Sequence, residues 1–383
     1  MKKTVLINVT NTIPIRGVFG DYISGIGQAT KALVSALNEL EGIPYNLELY
    51  ATGIHSYKFD FYGWNFKHHS LPMPLSGKLR QILGRHPDSI LRPKLYKYDL
   101  FHITESYFDI GPKEPFIVTI HDCTDMDKQY SEDVDENTRE RLQKRYQEMA
   151  SLSKSIVTDS LFSKAEIVKF FNVPPEKVFV NYLGINKERF KILPEDKVLR
   201  VLQKFNIDSP YFFACSCNRP RKNLITALRA YKKFYTNRTN HIFVIAWSNP
   251  PQCIKDEFAV DIESGKIMFL PFVSDEEIVA LYNGASLSVY VSRQEGFGMP
   301  ILESFACGTP VMTCRNSSLP EVGQDKAIYV GEDSIDEMVD VMRIIENDAF
   351  DKQAFKKETD VILNQFTWEG TAKRLIGLYD QLL

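Results

Sequence analysis

Short apolar runs alternate with longer amphipathic segments along most of this chain. The runs that predict buried strands lie at 4–9, 101–104, 116–120, 155–159 and 178–181 in the first half, and at 211–217, 241–246, 266–270, 287–291 and 311–313 in the second. The amphipathic segments between them predict helices, for instance at 24–40, 224–235 and 275–283. Such strand–helix alternation is typical of a parallel sheet with helices on both faces.

A charged segment broken by prolines, 186–209, divides the alternation into two series and predicts a linker. A length of 383 residues also favours two domains. We therefore expect an α/β chain with two doubly wound parallel-sheet domains, at 1–190 and 191–366. Within the first, Ser163-Lys-Ala-Glu166 has the sequence of a capping box and predicts the start of a helix that ends at Phe171.

Composition narrows the class of protein. A hydrophobic content of 44%, a charged content of 25% and a net charge of −3 suit a globular protein and argue against a general nucleic-acid binder. No apolar run reaches the roughly 18–20 residues of a membrane span, and the first residues predict a strand rather than a signal peptide. The six cysteines lack Cys-x-x-Cys spacing, so we expect reduced thiols in a cytoplasmic protein.

The stretch Glu295-Gly-Phe-Gly-Met-Pro-Ile-Leu-Glu303 predicts a turn that leads into a buried helix. Gly296 and Gly298 permit unusual backbone angles and close approach of a ligand, and Pro300 suits the first helical turn. Two carboxylates thus flank a helix N-terminus, where backbone N–H groups favour an anion. A phosphate with neighbouring hydroxyls fits this combination.

Two further loops of the second series could converge with this turn at the carboxyl ends of the strands. They are the basic loop Arg219-Pro-Arg-Lys-Asn223 and the loop Val273-Ser-Asp275. Lys222 is suited to a phosphate, Glu303 to two ribose hydroxyls and Glu295 to a sugar hydroxyl. The three loops together suggest a sugar-nucleotide site, although the basic loop alone could be a solvated turn.

Two motifs of the first series each allow two interpretations. Gly25-Ile-Gly27 either supplies the small residues that a helix start needs or forms a backbone surface that meets a ligand phosphate. His121-Asp122 follows a buried strand, at the end where open α/β sheets bind ligands. The alternative is a structural histidine capped by the adjacent aspartate.

The segment 55–100 is aromatic and basic. Between residues 58 and 97 it holds eight Lys or Arg residues against two Asp, and 78–85 could form a short basic amphipathic helix. One interpretation is a solvated surface. The other is a surface for anionic lipid or for an anionic acceptor.

The chain resembles the family 4 retaining glycosyltransferases. Six motifs occur in the order that this family shows: Gly25-Ile-Gly27 for its glycine loop, His121-Asp122 for its His-Asp pair, Ser160-Leu-Phe-Ser163-Lys for its S-x-F-S-K, Pro220-Arg-Lys-Asn223 for its basic loop, Glu295 to Glu303 for its E-x7-E signature, and Leu319-Pro-Glu321 for its P-E loop.

The resemblance implies a GT-B fold, in which two Rossmann-like domains face each other across a cleft. The acceptor would lie mostly on the first domain and the donor on the second, and the helix at 367–383 would pack back on the first domain. Its catalytic residues would be His121, Glu295 and Lys222. The donor site would comprise Gly25, Gly27, Arg219, Lys222, Val273, Glu295, Gly296, Phe297, Gly298, Met299 and Glu303.

Within that set the resemblance divides the roles. Lys222 would bind the diphosphate, and Gly27 would approach the phosphates from the first domain. Glu295 and the backbone of 297–299 would hold the donor sugar, and His121 would touch it. Glu303 would bind the ribose, and Val273 would contact the base.

The chain departs from the family at one position. Many members carry a Gly-Arg pair upstream of the lysine, and that arginine neutralises the diphosphate. Cys215-Ser216 stands there instead. Arg219 or Arg221 would have to substitute, and we take Arg219 as the first choice.

No Asp-x-Asp motif is placed to hold a diphosphate, so we expect metal-independent chemistry with no cofactor besides the nucleotide-diphosphate sugar. The resemblance implies front-face attack with retention of configuration, in which Glu295 positions the sugar rather than attacking it. The basic loop resembles that of mannosyltransferases of bacterial surface polysaccharides, which favours GDP-mannose over UDP-sugars. The acceptor would be a saccharide or a lipid-linked glycan at the cytoplasmic face of the membrane.

Two other functions suit the same motifs. One is a catalytically silent protein that binds a nucleotide sugar. The other is a further GT-B enzyme, such as a nucleotide-sugar epimerase.

Overall fold

The computed structural model of the protein describes residues 2–17, 20–53, 62–73, 87–105, 110–111, 114–215, 218–235, 239–347 and 351–383. Their contacts divide the chain into two compact units. The first comprises Met1–Met126, Glu136–Gly184 and Trp368–Leu383, and the second comprises Asp127–Asp135 and Ile185–Thr367. Within the described ranges, none of the helices combines the length and the apolar composition needed to cross a membrane.

The first unit is a parallel sheet of seven strands in the order β5-β4-β1-β6-β7-β8-β9, with a small antiparallel pair, β2 and β3, beside it. Its strands are β1 (Thr4–Asn8), β2 (Ile15–Gly17), β3 (Gly20–Tyr22), β4 (Asn46–Gly53), β5 (Lys67–Pro72), β6 (Leu100–Ile103), β7 (Phe116–Thr119), β8 (Ile156–Thr158) and β9 (Val178–Val180). The four residues of β6 and of β7 are all buried, as expected for central strands covered on both faces.

The helices of this unit are α1 (Gly25–Glu39), α2 (Asp88–Leu95), α3 (Glu136–Leu152), α4 (Leu161–Phe171) and, from the end of the chain, α14 (Trp368–Leu382). The last helix lies on α1 and buries Ala372, Leu375 and Tyr379 in the same core as Val5 and Ile7. Its Tyr379 hydroxyl is 2.7 Å from Nδ1 of the buried His102 on β6. The end of the chain is therefore part of the core of the first unit.

The second unit is a parallel sheet of six strands in the order β12-β11-β10-β13-β14-β15. Its strands are β10 (Tyr211–Cys215), β11 (Ile242–Ala246), β12 (Ile267–Phe269), β13 (Leu287–Tyr290), β14 (Val311–Cys314) and β15 (Ile328–Val330). Its helices are α5 (Glu195–Lys204), α6 (Leu224–Tyr235), α7 (Gln252–Glu257), α8 (Ala259–Glu263), α9 (Asp275–Gly284), α10 (Met299–Ala306), α11 (Leu319–Gly323), α12 (Ile335–Asn347) and α13 (Lys352–Gln365). The predicted α/β class, with two parallel-sheet domains, is confirmed.

Two local predictions were wrong. The segment 186–209 is not a simple linker, because it contains α5, which packs on α9. The N-cap of helix α4 lies three residues before the predicted one: it is Ser160, which accepts the N–H of Ser163 at 3.0 Å. Ser160 is the N-cap because its backbone is extended, as an N-cap requires, whereas Ser163 is already helical and buried.

The basic segment 55–100 is partly structural. Arg92 is fully buried, with Asp88 at 2.5 Å and Glu114 at 2.8 Å. Lys67 pairs with Glu48 at 3.1 Å. Lys94 is exposed, whereas the amphipathic helix predicted at 78–85 lies outside the described residues. The described part of this segment therefore carries less unpaired positive charge at its surface than its sequence indicates.

Gly27 lies where α1 crosses the 3-10 turn at Thr10–Thr12. A Cβ at this position would be 2.1 Å from the carbonyl oxygen of Asn11, which no real contact allows. A Cβ on Gly25 would meet nothing within 4 Å. Close packing therefore requires a glycine at position 27 and leaves position 25 free.

We predict that Gly27→Ala lowers the free energy of unfolding by about 1–3 kcal/mol, since the new methyl group forces the helix and the turn apart. Gly25→Ala is the matched control and should leave stability nearly unchanged. Thermal unfolding followed by circular dichroism measures both. Equal stability of the two variants would contradict the packing role of Gly27.

Candidate functional site

The predicted turn before α10 is held by the loop that follows β14. The backbone N–H of Glu295 donates to the Ser317 hydroxyl at 3.1 Å. The Ser318 hydroxyl lies 2.8 Å from the carbonyl oxygens of both Glu295 and Phe297. Gly298 is the N-cap of α10 and has a φ of 111°, a left-handed conformation that favours glycine. These contacts fix the backbone of the turn without using the Glu295 side chain.

The Glu295 carboxylate binds two cations of the basic loop. Its Oε1 is 2.6 Å from Nζ of Lys222, and its Oε2 is 2.9 Å from Nη1 of Arg221. The side chain of Glu295 is 7% exposed, that of Lys222 12% and that of Arg221 13%. Burial by itself would raise the pKa of Glu295, but the charges of Lys222 and Arg221 outweigh it and lower that pKa to about 2. Glu295 is therefore ionised at neutral pH.

The basic loop is rigidly attached to the turn. Pro220–Lys222 forms a single 3-10 turn that ends at Asn223, whose φ is 59°. The Asn223 side chain donates to the carbonyl oxygens of Val291, at 3.2 Å, and Glu332, at 2.7 Å. Arg221 also donates to the carbonyl oxygen of Gln294 at 2.7 Å. The cations thus reach Glu295 from a well-defined backbone.

The structure separates the two arginines that could replace the missing one. Arg221 lies beside Lys222 on Glu295, whereas Arg219 pairs with Asp133, with Nε 2.6 Å from Oδ2. Position 216, where the family arginine is expected, lies outside the described residues. A cavity of about 500 Å³ within the second unit is lined by both arginines and by Trp247.

Glu303 occupies a different environment one turn into α10. Tyr282 of α9 donates its hydroxyl to Glu303 at 3.0 Å, and Sγ of Cys215 lies 2.9 Å from the same hydroxyl. Burial raises the pKa of Glu303 to about 7; Tyr282 and the charge of Arg189 oppose this rise, and Asp275 adds to it. Glu303 can therefore change its charge near neutral pH.

Arg189 was not among the predicted site residues. Its Nη2 is 3.0 Å from the Asp275 carboxylate, at the start of α9. The half-buried Val273 lies in the same loop, next to Ser274, which forms a capping box with Glu277. The carboxylate of Asp275 could have indicated a cationic partner. The sequence does not indicate that Arg189, 86 residues earlier in the chain, is that partner.

The predicted site residues of the first unit are Gly25, Gly27 and His121. His121 follows β7, and its Nδ1 is 2.7 Å from the carboxylate of Asp159, which follows the adjacent strand β8. Asp122 accepts the backbone N–H of Thr124 at 2.9 Å instead. The acid that pairs with His121 is therefore Asp159, which the sequence analysis missed, although its place after a buried strand was a signal.

His121 is held by the ends of three strands. Burial favours the neutral ring, but the carboxylate of Asp159, the charge of Asp122 and the backbone of Thr104 together raise the pKa of His121. The buried Nε2 atom has no hydrogen-bond partner within the described part of the chain. The remaining ring nitrogen thus keeps a bonding capacity that Asp159 does not use.

Comparisons with known proteins identify the fold. Sucrose-phosphate synthase from Thermosynechococcus elongatus superimposes with a TM-score of 0.70 at 14% identity, over 100% of this chain and 99% of that one. HepE from Anabaena, in complex with UDP-glucose, superimposes with a TM-score of 0.69 at 14% identity, over 99% of this chain and 100% of HepE. WaaG, a glycosyltransferase involved in lipopolysaccharide biosynthesis, superimposes with a TM-score of 0.67 at 13% identity, over 98% of this chain and 99% of WaaG. The protein has the GT-B fold of a large class of glycosyltransferases.

Two family models divide most of the chain between them. Glycosyltransferase Family 4 matches residues 23–189, and Glycosyl transferases group 1 matches residues 199–360. The chain belongs to the family 4 glycosyltransferases, as its motifs indicated.

Several curated relatives are mannosyltransferases, two of them of O-antigen chains. O-antigen chain mannosyltransferase B of Escherichia coli is 28% identical over 63% of this chain and 64% of its own length. The mannosyltransferase RfbU of Salmonella typhimurium is 33% identical over 47% of each chain. The serotype-specific mannosyltransferase WbdA of Escherichia coli is 24% identical over 57% of this chain and 28% of its own length. The chain spans less than two thirds of these relatives.

We predict that Asp159→Asn lowers the pKa of His121, because the variant keeps an acceptor for Nδ1–H but removes the negative charge. Asp122→Asn is the matched control and should lower that pKa less, since Asp122 bonds Thr124. Titration of the His121 ring by ¹⁵N-edited NMR measures both pKa values. An unchanged pKa in Asp159→Asn would contradict the pairing.

The same pair predicts a direction for stability. The folded pKa of His121 lies above its ordinary value of 6.5. The stabilisation from the pair is therefore complete below about pH 6.5 and is lost as the pH rises through the folded pKa. In Asp159→Asn the folded pKa is lower, so this contribution should be smaller and less stability should be lost above about pH 6.5.

Proposed function

We propose that the protein is a retaining glycosyltransferase that moves a hexose, with mannose as the first candidate, from a nucleotide-diphosphate sugar to a saccharide or lipid-linked acceptor. The observation that carries this proposal is the meeting of Arg221 and Lys222 on the turn that leads to Glu303. Two fixed cations suit a diphosphate, and a carboxylate one turn into α10 suits the ribose. The mannosyltransferase relatives support mannose as the transferred sugar and polysaccharide synthesis as the process. GDP-mannose is the donor that we propose on the resemblance of the basic loop.

The chemistry follows from where charge develops. When the bond between the sugar and the diphosphate breaks, negative charge grows on the leaving phosphate. Lys222 and Arg221 are held in a largely buried site. They therefore stabilise the transition state, in which this charge has grown, more than they stabilise the ground state. This arrangement suits a reaction without a metal ion.

Glu295 positions groups and does not attack the sugar in this proposal. Its carboxylate is bonded by two cations, which lowers its nucleophilicity. The acceptor hydroxyl then attacks from the side of the leaving group and gives its proton to the departing phosphate, so the anomeric configuration is retained. His121 contributes a ring nitrogen toward the transferred sugar, and Val273 contributes a contact to the base.

The location of the acceptor stays a prediction. Of the eight cations between 58 and 97, four lie outside the described residues, while Arg92 is buried and Lys67 is paired. Contact of this segment with an anionic membrane would appear as vesicle binding that weakens with salt.

A nucleotide screen tests the proposed function. GDP should raise the unfolding temperature more than UDP or ADP at equal concentration, and GDP-mannose should release GDP when an acceptor glycan is present. Lys222→Met should reduce the shift with GDP. Absence of a shift with every nucleoside diphosphate would contradict the donor site. Binding without transfer would favour the silent nucleotide-sugar-binding protein, and donor isomerisation without an acceptor would favour the epimerase.

The raised pKa of Glu303 predicts how donor affinity depends on pH. Ribose hydroxyls donate to the ionised carboxylate, so GDP should bind more tightly at pH 8 than at pH 6. With a pKa of about 7 the difference is roughly tenfold. Glu303→Gln should lose this tenfold component and keep only the smaller variation that ionisation of the terminal phosphate of GDP gives to both proteins. Isothermal titration calorimetry at the two pH values measures it, and a pH-independent affinity of the unmodified protein would contradict the ribose role.

Glu303 also affects the stability of the protein without a donor. Its pKa rises from 4.5 to about 7 on folding, so its contribution is complete below pH 4.5 and is lost as the pH rises through 7. A bound nucleotide should therefore stabilise the protein most at the upper end of this range.

A further inference from the structure

The Glu295 carboxylate already lies where an anionic ligand of Arg221 and Lys222 would lie. It bonds Lys222 through one oxygen and Arg221 through the other, at 2.6 and 2.9 Å. This is the geometry with which two cations hold a phosphate group. The side chain thus acts as an anion supplied by the protein itself.

The charge balance of this cluster matters for any diphosphate. Two cations and one carboxylate leave a net charge of only +1. At short distance in a partly buried site, a negative charge next to the ligand position weakens anion binding substantially. Glu295 therefore opposes the binding of a diphosphate to the cations that it holds.

We propose that Glu295 is an internal counterion that competes with the diphosphate for Arg221 and Lys222. It keeps both cations in place when the site has no ligand, and it weakens the hold of the site on the nucleoside diphosphate after transfer. This inference rests on the proposed function, because it takes these cations as the diphosphate site. This effect on the diphosphate is separate from, and additional to, the positioning role proposed above for Glu295.

The geometry lets this role be tested without dismantling the loop. The turn backbone is held by Ser317 and Ser318, not by the Glu295 side chain. Arg221 retains the carbonyl oxygen of Gln294 at 2.7 Å. Lys222 retains the Tyr290 hydroxyl at 3.4 Å, and its Nζ lies 5.4 Å from the centre of the Tyr290 ring. Both cations thus keep a partner when the carboxylate is neutralised.

Binding of inorganic pyrophosphate, measured by isothermal titration calorimetry, tests the proposal. Glu295→Gln should bind pyrophosphate at least about tenfold more tightly than the unmodified protein, because an opposing charge has been removed. Asp333→Asn is the matched control. Asp333 pairs with Arg293 rather than with either of the two cations, and the Asp333 side chain is 69% exposed. Removing its charge should therefore change the affinity less than about twofold.

Glu295→Asp provides a second variant if the glutamine variant unfolds. Its carboxylate is one methylene shorter and withdraws from at least one cation, so it should also tighten pyrophosphate binding. Equal or weaker binding in the folded variants would overturn the counterion role.

A further pair of outcomes separates this inference from the proposed function. If pyrophosphate binds the unmodified protein and Lys222→Met abolishes that binding, while Glu295→Gln leaves it unchanged, the diphosphate site stands and the counterion role fails. If pyrophosphate binds none of these proteins, both fail.

Discussion

Two ion pairs that share the Glu295 carboxylate, one with Arg221 and one with Lys222, fix the geometry of the second unit's site. They connect the loop after β10 to the turn before α10, and the serines that follow β14 hold that turn from the other side. These ion pairs determine the arrangement of the loops because all three side chains are largely buried. A buried charge without a partner is costly, and the Glu295 carboxylate compensates both cations. The loops at the carboxyl ends of three strands consequently take up one arrangement.

The same stretch of chain places its second carboxylate in the opposite electrostatic environment. Glu295 has two cations and stays ionised, whereas Glu303 has the Tyr282 hydroxyl and titrates near neutrality. Eight residues apart, two chemically identical groups therefore have pKa values that differ because their neighbours differ. That difference supports the distinct roles proposed for them, one toward the cations proposed to bind the diphosphate and one toward the ribose hydroxyls of the proposed donor.

The sequence predicts the fold where the physics is local. Continuous apolar runs such as 116–120 become central strands, and the turn at Gly298 has the backbone that its glycine permits. Strands β4 and β5 are not among the predicted strands. Strand β5 is polar and at most half-buried, whereas β4 is largely buried and was missed without that reason. Partners are harder to predict: the acid that binds His121 and the arginine that joins Lys222 come from loops brought together by the sheets. Adjacency in the sequence favoured Asp122 as the acid that pairs with His121. Of the two nearby arginines, the prediction favoured Arg219 as the one that acts with Lys222.

A crystal structure of the protein with bound GDP tests the central claim most directly. We expect a β-phosphate within about 3 Å of Lys222 and Arg221, ribose hydroxyls on Glu303, and a Glu295 carboxylate withdrawn from at least one cation. A nucleotide bound elsewhere, or one bound here while both ion pairs of Glu295 stay intact and the phosphates touch neither cation, would contradict it.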